Sequence, residues 1–356
     1  MSTEAELNVH SGRMEFHFSQ TNEQLDAAIH HLIDLVGGVH HPQIVREMIL
    51  AALKTGQENS EKADLKLMTS TLKELRYTAK VFGQYQDVRK VTIFGSARPK
   101  PDTATYQLAK SLGRRLSQTG YMVITGGGPG IMQAGNEGAG SEHSFGVSIR
   151  LPFESEPNHV LQGSPRSISY KYFFNRKVAF IKEADAVALF PGGFGTSDEA
   201  MEVLTLLQTG KCYPIPLVLV DQPGGTYWSH WKQYVENELL ARDYINTDDL
   251  SLFTLVNSVE DAIQVIDRFY RRYHSLRFVK NRLVIRLSST VDAEDITRWK
   301  GQFGDILEPA GEFFLSGALP EEEDEPKFAH LPRLVLDFNR RHYGRLRQLI
   351  DAINAV

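Results

Sequence analysis

Leu25, Ala28, Ile29, Leu32, Ile33 and Val36 recur at the spacing of one helix face, and Gly37-Gly38 supplies a stop. Pro42 opens a second, short helix. After a polar break from Gly56 to Glu61, Leu65, Met68, Leu72, Leu75, Ala79 and Phe82 form a heptad-like stripe. The stripe is too short for a coiled coil, so it is expected to pack on the chain's own core rather than on a second subunit.

From Lys90 the pattern changes to short apolar, β-branched runs at Val91–Phe94, Met122–Thr125, Gly146–Arg150, Ala186–Phe190, Ile215–Val220 and Leu252–Val256. Helical patterns separate them at Thr105–Gln118, Gly130–Gly138, Tyr170–Lys182, Thr196–Thr209 and Tyr227–Leu240, and Val259–Tyr273 closes the series. This alternation predicts a parallel sheet with crossover helices. The first, second and fourth runs lead into glycine-rich turns, which places a ligand crevice at the carboxyl ends of the strands. Beyond residue 275, Leu283, Ile285 and Leu287 alternate as in a half-buried strand, and Asp292 is placed to cap a helix carrying Ile296, Trp299 and Phe303. Phe313–Leu315 and Leu334–Leu336 are strand-like and Leu346–Ile353 is helical, an order that suits a small βαββα sandwich.

Composition narrows the function classes. With 42% hydrophobic residues, 23% charged residues and a net charge of −5, the chain is expected to fold and not to bind nucleic acid generally. Arg271, Arg272, Arg277, Lys280, Arg282 and Arg286 cluster locally, and Glu321–Glu325 is an acidic run between Pro320 and Pro326; both are expected to be solvated. Cys212 is the single cysteine, so no intrachain disulfide and no thiol zinc site can form, and a reducing compartment is expected. Met1–Gln20 is polar, and no run of about eighteen apolar residues occurs, so a cytoplasmic chain without membrane insertion is expected. His30-His31 and His40-His41 lack partners at ligand spacing, and no metal is expected.

Candidate chemistry lies in the turns. Phe190-Pro191-Gly192-Gly193-Phe194-Gly195-Thr196 ends an apolar strand and opens a helix, where free N–H groups and the positive helix end converge on a glycine surface. Such a turn cradles a phosphate. It lacks the GxxxxGK[ST] loop, and Gly126-x-Gly128 is followed by Ile131 where a dinucleotide fingerprint needs glycine, so a monophosphate fits best. A second turn, Gly126-Gly127-Gly128-Pro129-Gly130, repeats the strand-to-helix context. Glu199 and Glu202 lie three apart on the helix after the cradle, and Arg176-Lys177 can balance their charge.

Four segments carry a family resemblance: Phe94-Gly95-Ser96-Ala97-Arg98, residues 125–132 from Thr125 to Met132, Arg176-Lys177, and Pro191-Gly192-Gly193-Phe194-Gly195-Thr196-Ser197-Asp198-Glu199. The last is the PGGxGTxxE signature. The chain resembles the LOG (Lonely Guy) family, also labelled "possible lysine decarboxylase", over roughly Lys90 to Tyr273. The resemblance implies a Rossmann-like α/β unit at 90–275, with an N-terminal helical region at 1–89 and a small α+β domain at 276–356 outside the family's minimal unit. It implies a homodimer or higher homo-oligomer that hydrolyses the N-glycosidic bond of a nucleoside 5′-monophosphate, AMP or a cytokinin riboside monophosphate, to free base and ribose 5-phosphate. Carried over by position, Arg176 and Glu199 are the catalytic pair. Gly192, Gly193, Gly195 and Thr196 form the phosphate cradle. Gly95, Ser96, Gly126, Gly127, Gly128, Gly130, Met132, Lys177 and Glu202 border the substrate. Short members have methionine where this chain has Phe173, a difference that bears on the base. The family's older label points to decarboxylation through pyridoxal phosphate, for which Lys177 is the nearest Schiff-base candidate; with Arg176 and the glutamates assigned to hydrolysis, no cofactor is expected. A non-catalytic nucleotide-binding regulator or carrier would use the same cradle.

Overall fold

The computed structural model describes residues 23–59, 61–150 and 156–356, so the expectation for Met1–Gln20 lies outside the described residues. The chain divides into two compact units, Met1–Lys73 and Glu74–Val356. In the first, α1 (Glu23–Val36) stops where Gly37 and Gly38 take φ of +65° and +63°. α2 (Pro42–Glu58) is longer than the short helix expected and runs into the predicted break. Ile29, Ile33 and Leu50 bury the apolar centre of this unit. α3 (Lys62–Phe82) crosses from one unit to the next. Its stripe is core only at the end: Met68 and Leu72 are 49% and 50% exposed, whereas Phe82 is buried and stacks on Phe145 at 4.3 Å.

The second unit opens with β1 (Lys90–Phe94), α4 (Ala104–Gln118), β2 (Met122–Thr125), α5 (Ile131–Ala139), β3 (Ser144–Ile149) and β4 (Ser167–Tyr170). It continues with α6 (Phe173–Lys182), β5 (Ala186–Leu189), α7 (Phe194–Gln208), β6 (Leu217–Val220), α8 (Tyr227–Tyr234), β7 (Thr254–Val256) and α9 (Val259–Phe269). The seven strands are parallel in the order β4-β3-β2-β1-β5-β6-β7. The chain builds outward from β1 to β4, then returns to β1's other side with β5, and that reversal opens a crevice beyond the carboxyl ends of β1 and β5. Successive residues alternate between faces: Val187 and Leu189 join one core cluster, Ala186 and Ala188 the other. Burial on both faces gives the near-continuous apolar runs read above. β4 was not among the expected strands, because Ser167 and Ser169 interrupt its apolar signal; its Ile168 and Tyr170 are buried. α8 passes into a wider π-helical turn over Val235–Leu240.

The C-terminal portion holds β8 (Tyr273–Val279), β9 (Arg282–Leu287), α10 (Ala293–Phe303), β10 (Phe313–Ser316), β11 (Arg333–Leu336) and α11 (Tyr343–Ala355). The expected βαββα order is present, but β8 precedes it, giving an antiparallel sheet in the order β10-β11-β9-β8. α9 therefore ends at Phe269, short of the expected Tyr273. Asn354 fixes this junction: its Oδ1 accepts from the N–H groups of Arg272 and Tyr273, both at 2.9 Å, and its Nδ2 donates to the Phe269 carbonyl at 2.6 Å.

The basic cluster and the acidic run are solvated only in part: Arg271, Lys280, Arg282, Glu321, Glu323 and Asp324 are exposed, but Arg286 and Glu322 are buried. Arg286 and Arg333 are directly opposed across β9 and β11, an unfavourable like-charge pairing. Glu322 lies between them, 2.6 Å from Arg286 Nη2 and 3.1 Å from Arg333 Nε, and all three are buried. Arg277 meets Asp324 at 2.8 Å and Glu325 at 2.6 Å, and Lys280 meets Glu321 at 2.6 Å. The acidic run is thus the counter-charge of the sheet face turned away from the helices.

Glu322→Gln leaves two opposed, buried arginines without their anion and is expected to cost about 3–5 kcal/mol in urea unfolding. Glu323→Gln, at the exposed next residue of the same run, is expected to stay within about 0.5 kcal/mol. Burial alone would raise the Glu322 carboxyl, but hydrogen bonds from Arg286 and Arg333 hold it below its ordinary value. Its contribution is therefore present above the ordinary glutamate range near ~4.3 and disappears as pH falls below it, a dependence Glu322→Gln should lack.

Candidate active site

Three turns meet at the carboxyl ends of β1, β2 and β5. Ser96 donates its N–H to the Pro191 carbonyl at 3.2 Å and accepts at its own carbonyl from the N–H of Ile131 at 3.0 Å. Gly130 has φ of +66°, and a Cβ there would stand 2.5 Å from the Ser96 carbonyl oxygen, so only glycine seats the β2–α5 turn on the β1 turn. Together they border a cavity of about 960 Å³, lined by residues 94–98, Gly126, Met132, Phe173, Arg176, Phe180, residues 191–199 and Tyr227.

The glycines of the cradle serve two purposes. A Cβ on Gly192 would lie 2.0 Å from Thr196 Oγ1, so this residue is glycine for packing. Gly193 and Gly195 have nothing within 4 Å of a Cβ position and no left-handed backbone, so neither packing nor conformation demands glycine there. They leave bare backbone at the start of α7, which has no capping side chain, and that is the arrangement an anion needs to reach first-turn N–H groups.

Arg176 on α6 and Glu199 on α7 face each other, with Nη2 and Oε1 3.9 Å apart and both side chains largely buried. That gap is too long for a hydrogen bond. Among the described residues, Arg176 Nε and Glu199 Oε2 are buried without a hydrogen-bond partner. Burial is the largest influence on Glu199 and pushes its carboxyl up to about 7, against the pull of Lys177 and Arg176. Burial also draws Arg176 below its ordinary value, with Glu199 and Asp198 opposing. The guanidinium lies over Phe173 at 4.7 Å and Phe180 at 5.5 Å. Lys177 bonds Asp198 at 2.8 Å and Glu202 at 3.0 Å; burial would lower its ammonium, but the two carboxylates raise it.

Of the residues expected from sequence, Gly95, Ser96, Gly126, Met132, Arg176, Gly192, Gly193, Gly195, Thr196 and Glu199 line the cavity. Gly127, Gly128 and Gly130 build the turn behind it; Gly127 is held by Thr125 Oγ1 at 3.0 Å and by the Asn158 N–H at 2.7 Å. Lys177 and Glu202 form the ion pair alongside rather than the lining. Arg98, Phe194 and Asp198, which lie in the family-matching segments without a role assigned, also line the cavity, as do Phe180 and Tyr227, which the motifs do not include. Tyr227 donates its hydroxyl to the Gly192 carbonyl at 2.8 Å, and its N–H is anchored by Asp221 Oδ2 at 3.0 Å. The available signal was Asp221 with Gly224-Gly225 at a strand end, since a Cβ on Gly225 would lie 2.1 Å from the Asp221 carboxylate.

Two neighbouring substitutions should separate the roles. Gly192→Ala is expected to lower stability by about 1–3 kcal/mol through overpacking against Thr196. Gly193→Ala should leave thermal unfolding unchanged while weakening binding of ribose 5-phosphate in calorimetry at least tenfold.

Residues 130–266 match the family described as "possible lysine decarboxylase". Over 161 residues the chain is 30% identical to the cytokinin riboside 5′-monophosphate phosphoribohydrolase LOG of Oryza sativa subsp. japonica, covering 44% of this chain and 65% of that protein. Over 123 residues it is 28% identical to the pyrimidine/purine nucleotide 5′-monophosphate nucleosidase of Escherichia coli (strain K12), covering 32% of this chain and 27% of that protein. The chain spans less than two thirds of the length of either relative. A solved molybdenum cofactor carrier protein from Chlamydomonas reinhardtii is 19% identical, with a TM-score of 0.35, over 51% of this chain and 97% of that chain. The matched segment runs from the Gly130 turn through the cradle into α9, so over its α/β unit the chain is similar to the LOG family, as its motifs indicated.

Proposed function

We propose that this cavity hydrolyses the N-glycosidic bond of a nucleoside 5′-monophosphate, of the AMP or cytokinin riboside monophosphate type. One observation carries the reading: the bare cradle at Gly193 and Gly195 lies one helical turn before Glu199, whose Oε2 is buried and unpaired. One turn advances about 5.4 Å, comparable to the reach from a 5′-phosphate to the anomeric carbon of ribose. The rice and Escherichia coli relatives are named for this chemistry, which supports the reading.

As the C–N bond breaks, its electron pair leaves with the base and positive charge develops on the ribose ring. Ionised Glu199 stabilises that charge and accepts a proton from the attacking water, whose oxygen bonds the anomeric carbon. The departing base takes up one proton, so base and ribose 5-phosphate account for all atoms. Arg176 favours the ionised carboxylate and contacts phosphate or ribose through its planar fork. Phe173, Phe174 and Val178 of α6, with Phe194 and Met201 of α7, are exposed apolar residues, of which Phe173 and Phe194 line the cavity, and they support a homodimer or higher assembly, expected to sediment at a multiple of the chain mass. Cys212, whose thiol burial pushes up to about 11, is the lone cysteine and supports a reducing, cytoplasmic setting.

The test is a panel of AMP, GMP, CMP, UMP, IMP and isopentenyladenosine monophosphate, with released base quantified by chromatography. Glu199→Gln is expected to lower kcat by about 10²–10⁴. For the native chain kcat/KM should rise with pH and level off above about 7 as Glu199 ionises, and the variant should lose that limb. Bound but intact nucleotide after long incubation would overturn hydrolysis in favour of a regulator or carrier.

A further inference from the structure

The charges around the cavity do not yet accommodate a phosphate. Arg176 faces Glu199, and Lys177 is shared by Asp198 and Glu202, so two cations stand against three carboxylates. A dianion entering the cradle would meet a surplus of negative charge. Helix-end N–H groups offset part of this, since the helix terminus acts as roughly half a positive charge. A full cation is still missing from the cradle's own surroundings.

Arg98 is such a cation. Among the described residues lining the cavity, it is the basic side chain without a carboxylate partner, and it is exposed. Its backbone is positioned against the cradle: the Arg98 N–H is 3.2 Å from Ser96 Oγ, and Ser96 N is 3.2 Å from the Pro191 carbonyl. A Cβ on Gly192 would lie 3.0 Å from Ser96 N, so the turn bearing Arg98 touches the cradle itself. Arg98 thus lines the cavity from the β1 turn, which abuts the turn that opens α7.

We propose that Arg98 recognises the phosphate of the ligand and sets the preference of this site for phosphorylated over unphosphorylated ribosides. The inference rests on the reading of the cavity as a nucleotide site. The guanidinium closes over the phosphate from the β1 turn while the cradle holds it from α7, leaving Arg176 free for Glu199 and the ribose. Arg98 acts on affinity rather than on the bond-breaking step.

Calorimetry with ribose 5-phosphate and with ribose, on the native chain, Arg98→Ala and Arg98→Lys, tests it directly. A charge-assisted hydrogen bond of this kind corresponds to about 10–100-fold in affinity. Arg98→Ala should lose that factor for ribose 5-phosphate and nothing for ribose, with Arg98→Lys between. Thermal unfolding should be unchanged, because the side chain is exposed. With AMP as substrate, Arg98→Ala should raise KM by a similar factor with kcat within about threefold. Equal affinity of Arg98→Ala and the native chain for ribose 5-phosphate would overturn the proposal, even where base release proves the hydrolase reading right. Conversely, Arg98-dependent binding of ribose 5-phosphate in a chain that releases no base would uphold Arg98 and overturn hydrolysis.

Discussion

A cradle of main-chain N–H groups works only if its backbone cannot drift, and the Ser96 peptide provides that constraint. By donating to Pro191 and accepting from Ile131, it joins the turns after β1 and β5 to the start of α5. The strand register behind it is fixed by side-chain alternation, because a slip of one residue would turn Val187 and Leu189 to the wrong face. The core therefore sets the position of the turns, and the turns set the cavity. Tyr227 adds a third tie, from α8 to the Gly192 carbonyl.

The site stores electrostatic cost on top of this rigid base. Glu199 Oε2 and Arg176 Nε are each buried without a partner, a penalty of roughly 1–3 kcal/mol apiece. A few fully buried valines and leucines of the sheet, each contributing about 1.5–3 kcal/mol, offset it. Arg176 and Lys177 are consecutive, so they leave α6 about 100° apart and serve different carboxylates. The lysine locks α6 to α7 while the arginine remains oriented to the cavity.

Much of this was legible in the sequence where the information is local. The strand at Met122–Thr125 was read with its observed limits, and the strands at Val91–Phe94 and Ala186–Phe190 within one residue, since strands buried on both faces are continuous apolar runs ended by glycine turns. Glu199 and the glycines at the start of α7 lie in one compact motif, and Arg176 was placed beside them by the family resemblance. What stayed hidden depends on distant partners. β8 reads as polar because Arg277 and its neighbours are neutralised by Asp324 and Glu325, which no local pattern reveals. Tyr227 reaches Gly192 from another helix, and Arg98 becomes informative only once the other cations are seen to be engaged.

The Asn354 side chain makes one joint of the second unit depend on the far end of the chain. The turn from α9 into β8 has two N–H groups and a carbonyl satisfied by a single amide near the end of α11. In chain order every strand of the parallel sheet precedes that amide, so until α11 docks these backbone groups are left to water. Closing so long a loop is slow relative to local helix formation. The joint between the two sheets, although short in sequence, therefore takes its side-chain partner from the last helix of the chain.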